Sequence, residues 1–169
     1  VLLWAQVHLN MTLDKAAMLQ GIVAAGVILG SIIAGKLISL KKSIKVLPIG
    51  ILMGLVVPMI TLTSSLVPAS ILLIIIGALA GSFVVPMNAL LQHRGYVTLS
   101  AGQSIAVQNF NENLNVLFML GVYSFLLYAN LEVNMIVTLF GAFVAITMFA
   151  VTIKSTRNQK KVDFATMIG

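Results

Sequence analysis

Residues 100–115 read SAGQSIAVQNFNENLN, and residues 116–128 continue without a break as VLFMLGVYSFLLY. A polar half-helix therefore runs straight into an apolar one. At about 100° per residue, Ser104, Gln108, Asn111, Glu112 and Asn115 fall within an arc of roughly 100°, with Asn109 and Asn113 on one flank. Polar groups buried in lipid are costly unless they find partners, and an ionised Glu costs more still. Such a stripe must face a water-filled cavity or another helix. The expectation is that it lines a transport pathway inside a helical membrane protein.

Composition supports that class. The chain has 169 residues, 60% of them hydrophobic and 8% charged, with a mean hydropathy of +1.10. A soluble domain carries about 25% charged residues. The fold class expected is an all-α membrane protein, since lipid leaves the backbone few other ways to satisfy its hydrogen bonds. Cysteine is absent, which removes disulfides and thiolate metal sites. There is no phosphate-cradling Gly loop, no G-x-S-x-G and no H-E-x-x-H. The chain is expected not to be an enzyme, to carry no cofactor or metal, and to bind no nucleic acid.

Working outward from residue 100, the chain divides into apolar spans joined by short loops. The spans are expected at 16–40, 46–63, 69–92, 101–128 and 133–153, preceded by a partial helix at 1–9. Residues 1–153 then form one transmembrane bundle and 154–169 a basic tail. Residues 1–9 are about half the length a crossing needs, so they are read as the outer end of a truncated helix and the chain as a fragment. Trp4 and His8 suit the interfacial belt. Thr12 or Asp14 is placed to cap the first full span. Gly26, Gly30 and Ala34 form a small-residue stripe, and Gly77 with Gly81 a second pair, both suited to close helix approach. Pro48 fits a first helical turn, whereas Pro58 and Pro86 should disturb their helices. Gly95 follows Gln92, His93 and Arg94 as a helix-ending glycine would, with 96–99 as the loop. Ser100 and Gln103 make a capping box for the next helix.

The loops give an orientation. With the loop near Lys41, the loop near Arg94 and the tail on one side, that side holds every basic residue but Lys15. The positive-inside rule makes it cytoplasmic. The net charge of +6 is thus topological, with attraction to anionic membrane lipids secondary.

Glu112 is the one carboxylate placed inside a span; Asp14, Glu132 and Asp163 fall in loops or the tail. Three roles compete for it: binding a cationic group of a substrate, carrying a proton or pairing with sodium in coupled transport, or anchoring the fold. Gln108 and Asn115, on the same face, can hydrogen-bond to it or to a ligand. The candidate substrate-binding residues are Glu112, Gln108, Asn109, Asn113, Asn115 and, beyond Pro86, Asn88.

The runs GSFVVPMNALLQHRG at 81–95, AGQSIAVQNFNEN at 101–113 and MLGVYS at 119–124 resemble the bacterial lysophospholipid transporter family of the major facilitator superfamily. The resemblance spans the chain and is closest over 81–124. Its two motifs are V-V-P-x-N-A-L-L-Q, here Val84 to Gln92, and A-V-Q-N-x-x-E-N, here Ala106 to Asn113, with Glu112 as the acid. It implies the C-terminal six-helix half of a major facilitator superfamily transporter, its C-terminus cytoplasmic. It also implies that lysophosphatidylethanolamine and related lysoglycerolipids pass from the outer to the inner leaflet of the bacterial inner membrane. The partners implied are lysophospholipid, membrane lipids, the N-terminal half of the same transporter and a cytoplasmic-side acyltransferase. The superfamily's loop after helix 8 usually carries an acid behind its Gly; residues 35–39, GKLIS, have none. Alternatives are another permease of the superfamily, exporting a drug or metabolite, and a non-transporting membrane scaffold whose polar stripe only packs.

Overall fold

The structure, a computed structural model, describes residues 1–98 and 100–168, and their side chains except at 40–42, 94, 96–98, 101 and 159–168. The described residues form six α-helices: α1 (Leu2–His8), α2 (Leu13–Leu37), α3 (Leu47–Val56), α4 (Leu66–Thr98), α5 (Ala101–Tyr128) and α6 (Val133–Ile168). Two 3-10 stretches, Leu40–Val46 and Val57–Leu62, flank α3. Among the described residues four stretches are long and apolar enough to cross a membrane: Leu13–Leu37, Ser43–Leu62, Leu66–His93 and Val133–Asn158. This is a multi-pass membrane protein. At 28 residues α5 has the length, about 42 Å at 1.5 Å per residue, but its polar first half keeps it out of that set.

The tightest packing is between α2 and α4. A Cβ at Gly26 or Gly30 would run into the backbone carbonyls of Ile74 and Ala78, and one at Gly77 or Gly81 into those of Val23 and Val27. The two small-residue stripes therefore face each other and let the backbones touch, as close helix pairs do in lipid. Ser82 Oγ adds a hydrogen bond across the pair, donating to the Gly30 carbonyl at 3.1 Å. Glycine serves α3 and α6 in the same way: a Cβ at Gly54 would meet Ala145, and one at Gly141 would meet the Pro58 ring.

Pro48 and Pro58 act as expected. Pro48 sits in the first turn of α3. The α-helix gives way to 3-10 geometry at Val57, beside Pro58, which has no N–H to close a bond to the Gly54 carbonyl. α4 stays helical through Pro86.

Several local expectations are corrected. Trp4 faces inward: it is 2% exposed and joins a core with Ala5, Ala16, Leu19, Ile60, Ala69 and Leu73, because α1 packs against α2 and α6. Thr12 occupies the N-cap of α2 with extended backbone but makes no side-chain capping bond. Gly95 does not end its helix, since α4 continues to Thr98; of the loop expected at 96–99, Leu99 lies outside the described residues. The expected basic loops include the side chains of Lys41, Lys42 and Arg94, which lie outside the described set, as do those of Lys160 and Lys161. α6 continues past Ile153. The turns at 10 and 130 are made by Asn10 and Asn130, both with positive φ, a conformation that asparagine tolerates better than most residues.

Candidate functional site

α5 begins on the expected capping box. The Gln103 N–H donates to Ser100 Oγ and the Ser100 N–H to Gln103 Oε1, each at 3.4 Å. These bonds satisfy two N–H groups that a helix start leaves open. One turn on, the buried Ser104 stands where a side chain at Gly95 would be. That contact holds the start of α5 against the end of α4.

Beyond the contact lies a cavity of about 680 Å³ between the two helices. From α4 it is lined by Val84, Asn88, Leu91 and Gly95, and from α5 by Ser104, Val107, Gln108, Asn111, Glu112, Asn115 and Val116. The size falls within the range of about 300–1,000 Å³ typical of small-molecule sites. The five stripe residues read from helical periodicity all line it. Of the candidate residues, Glu112, Gln108, Asn115 and Asn88 come together here. Asn109 and Asn113 are exposed on the neighbouring flank of α5 and do not line the cavity.

The polar side chains offer a carboxylate, amide oxygens and amide N–H groups together. Gln108 Nε2 donates to Glu112 Oε1 at 3.0 Å, which fixes both side chains one turn apart. Gln108 Oε1 is then buried without a hydrogen-bond partner among the described residues. Asn115 Nδ2 donates to the Asn111 carbonyl at 2.8 Å, and Asn113 Nδ2 to the Asn109 carbonyl at 2.9 Å. Each of those amides spends a donor on its own helix and keeps its oxygen for other partners. No Lys or Arg is among the described lining residues. One carboxylate and several amide oxygens, walled by Val84, Leu91, Val107 and Val116, suit a group that donates hydrogen bonds, carries positive charge and is attached to something apolar. Among the described residues no three His, Cys, Asp or Glu side chains lie together as metal ligands would.

Sequence reading missed the α4 wall apart from Asn88. Val84, Asn88, Leu91 and Gly95 recur at helical spacing, so the signal was present, but apolar residues in an apolar helix carry no contrast. Asn111 lay on the stripe and was not chosen as a candidate.

No family model matches the chain, and no solved structure matches it. Among curated proteins it is 43% identical over 160 residues to the lysophospholipid transporter LplT of Shigella flexneri. It is 42% identical over the same length to the LplT proteins of Shigella flexneri serotype 5b (strain 8401) and Escherichia coli O1:K1 / APEC. Each match covers 94% of this chain and 40% of the relative. The chain is homologous to lysophospholipid transporters and spans 40% of their length.

Proposed function

We propose that this chain is the C-terminal six-helix half of a lysophospholipid transporter of the major facilitator superfamily. The complete transporter moves lysophosphatidylethanolamine and related lysoglycerolipids from the outer to the inner leaflet of the bacterial inner membrane, and this half alone does not. The observation that carries this is the α4–α5 cavity, in which one carboxylate and several amides are bounded by apolar side chains, in a chain homologous to transporters named for that substrate. A lipid with a small charged headgroup and one acyl chain needs that pairing of a polar patch with greasy walls. An exporter of polar metabolites would want more charge.

In this proposal α5 is a fifth complete span and α1 the end of a sixth. The inner end of α5's polar half, at Glu112 and Asn115, then sits near mid-membrane, where transporters of two rocking halves hold their substrates. Glu112 receives the headgroup ammonium. Gln108 orients the carboxylate and offers its free Oε1 to the same ammonium. Asn115 and Asn88 bound the headgroup, and Asn109 and Asn113 join the lining once the N-terminal half closes over α5. The Lys- and Arg-rich loops and the C-terminus lie in the cytoplasm. Membrane lipids surround the bundle, and an acyltransferase on the cytoplasmic side takes the delivered lysolipid.

The test uses the full-length parent protein. Labelled lysophosphatidylethanolamine is given to spheroplasts, and its conversion to diacyl lipid is followed. Glu112→Gln should lower conversion by about tenfold or more, and Gln108→Ala by less, at normal protein levels, because a hydrogen bond to a charged group is worth more than a neutral one. Conversion that survives both changes would make the stripe structural. No conversion by the wild type, with an active acyltransferase, would point to a different permease.

A further inference from the structure

A second polar pocket lies at the far end of α5. Trp4 and His8 of α1 border a cavity of about 400 Å³ together with Glu132 and Asn134, which flank the start of α6. Trp4 stacks on His8, with ring centroids 5.6 Å apart and planes 23° from parallel. Its side chain is buried, and its indole Nε1–H has no hydrogen-bond partner among the described residues. Buried indole N–H groups normally find an acceptor. Asn134 Nδ2 lies 3.2 Å from His8 Nδ1. With the ring proton on Nε2, Nδ1 accepts from this amide. The Glu132 carbonyl accepts from the Ile136 N–H at 3.0 Å, which fixes Glu132 at the first turn of α6. The lining thus brings ring N–H groups and a carboxylate-bearing residue to one cavity, with Val7 and Leu131 among its apolar members.

We propose that this pocket is a second headgroup station, for a phosphoethanolamine-type headgroup. A phosphodiester oxygen accepts from the Trp4 indole and from His8 Nε2–H, and the ammonium rests on the Glu132 carboxylate. The proposal rests on the lysophospholipid reading above. The pocket lies at the end of the bundle opposite the Lys- and Arg-rich loops, where that reading has the substrate arrive. It differs from the α4–α5 cavity in pairing aromatic ring N–H groups with its carboxylate. It therefore suits capture of the whole headgroup.

The test is kinetic and uses the full-length transporter in vesicles, with lysophosphatidylethanolamine as substrate. Trp4→Phe keeps the ring and removes only the N–H; Glu132→Gln keeps the shape and removes the charge. Each is expected to raise KM about tenfold with kcat unchanged, while Glu112→Gln lowers kcat. Glycerophosphoethanolamine should compete with the lysolipid in wild type and lose its effect in Glu132→Gln, whereas inorganic phosphate should compete far less. Unchanged KM in both variants, with Glu112→Gln still inactive, would overturn the station and leave the transport reading standing. Equal competition by inorganic phosphate would make it a plain phosphate site and overturn the headgroup assignment. A wild-type protein that moves no lysolipid would sink the transport reading, and this proposal with it.

Discussion

Gly95 has no side chain, and Ser104 stands in the space one would need. A methyl group there has to push α5 off α4, an overpacking that costs about 1–3 kcal/mol. Gly95→Ala is therefore expected to lower the melting temperature of the purified protein in detergent, and adding Ser104→Gly should recover most of the loss. No recovery would mean that the two residues do not share that space. This contact was not legible from the sequence. Gly95 follows Gln92, His93 and Arg94, the usual order at a helix end, and only the neighbouring helix reveals its other use. The stripe on α5 was legible because polar residues in an apolar helix stand out at helical spacing. The burial of Trp4 was missed for a related reason: a large amphipathic ring suits a lipid-facing surface equally well until the packing of α1 is known.

At the level of helices, the glycines of α2 divide into two kinds. Gly30 abuts the backbone of Ala78, whereas Gly35 has nothing within 4 Å of where a Cβ would lie. Gly35→Ala should be neutral, or stabilising by about 0.5–1 kcal/mol through helix propensity. Gly30→Leu should force α2 and α4 apart and sharply reduce the folded protein recovered from membranes. Equal behaviour of the two variants would argue against the close pair. The capping box gives a milder prediction. Ser100→Ala should cost about 1 kcal/mol, read as faster hydrogen exchange confined to the first turn of α5. Both small-residue stripes were visible as four-residue spacings, but spacing describes one helix and does not name its mate. Gly50 and Gly54 carry the same spacing in α3 and were passed over, so the α3–α6 contact was missed.

Taken as one body, the protein is inside-out by the standards of soluble folds, with large apolar side chains such as Phe110, Leu117 and Phe125 at least two-thirds exposed on α5. That surface belongs against lipid or against further apolar helices. The orientation proposed above can be checked through cysteine, which the chain lacks. A cysteine at Asn130 should react with a membrane-impermeant maleimide from outside intact cells, and one at Ser39 only after permeabilisation. The opposite pattern would reverse the orientation. The facing backbones of α2 and α4 also have a mechanical consequence. Helices whose carbonyls fill one another's missing side chains cannot slide without first parting, so the two behave as a single beam. α5 touches that beam near its first turn and is tied through a short turn to α6 at its other end. It is strung alongside like a bowstring, held at its two ends and standing off the beam across the cavity between them.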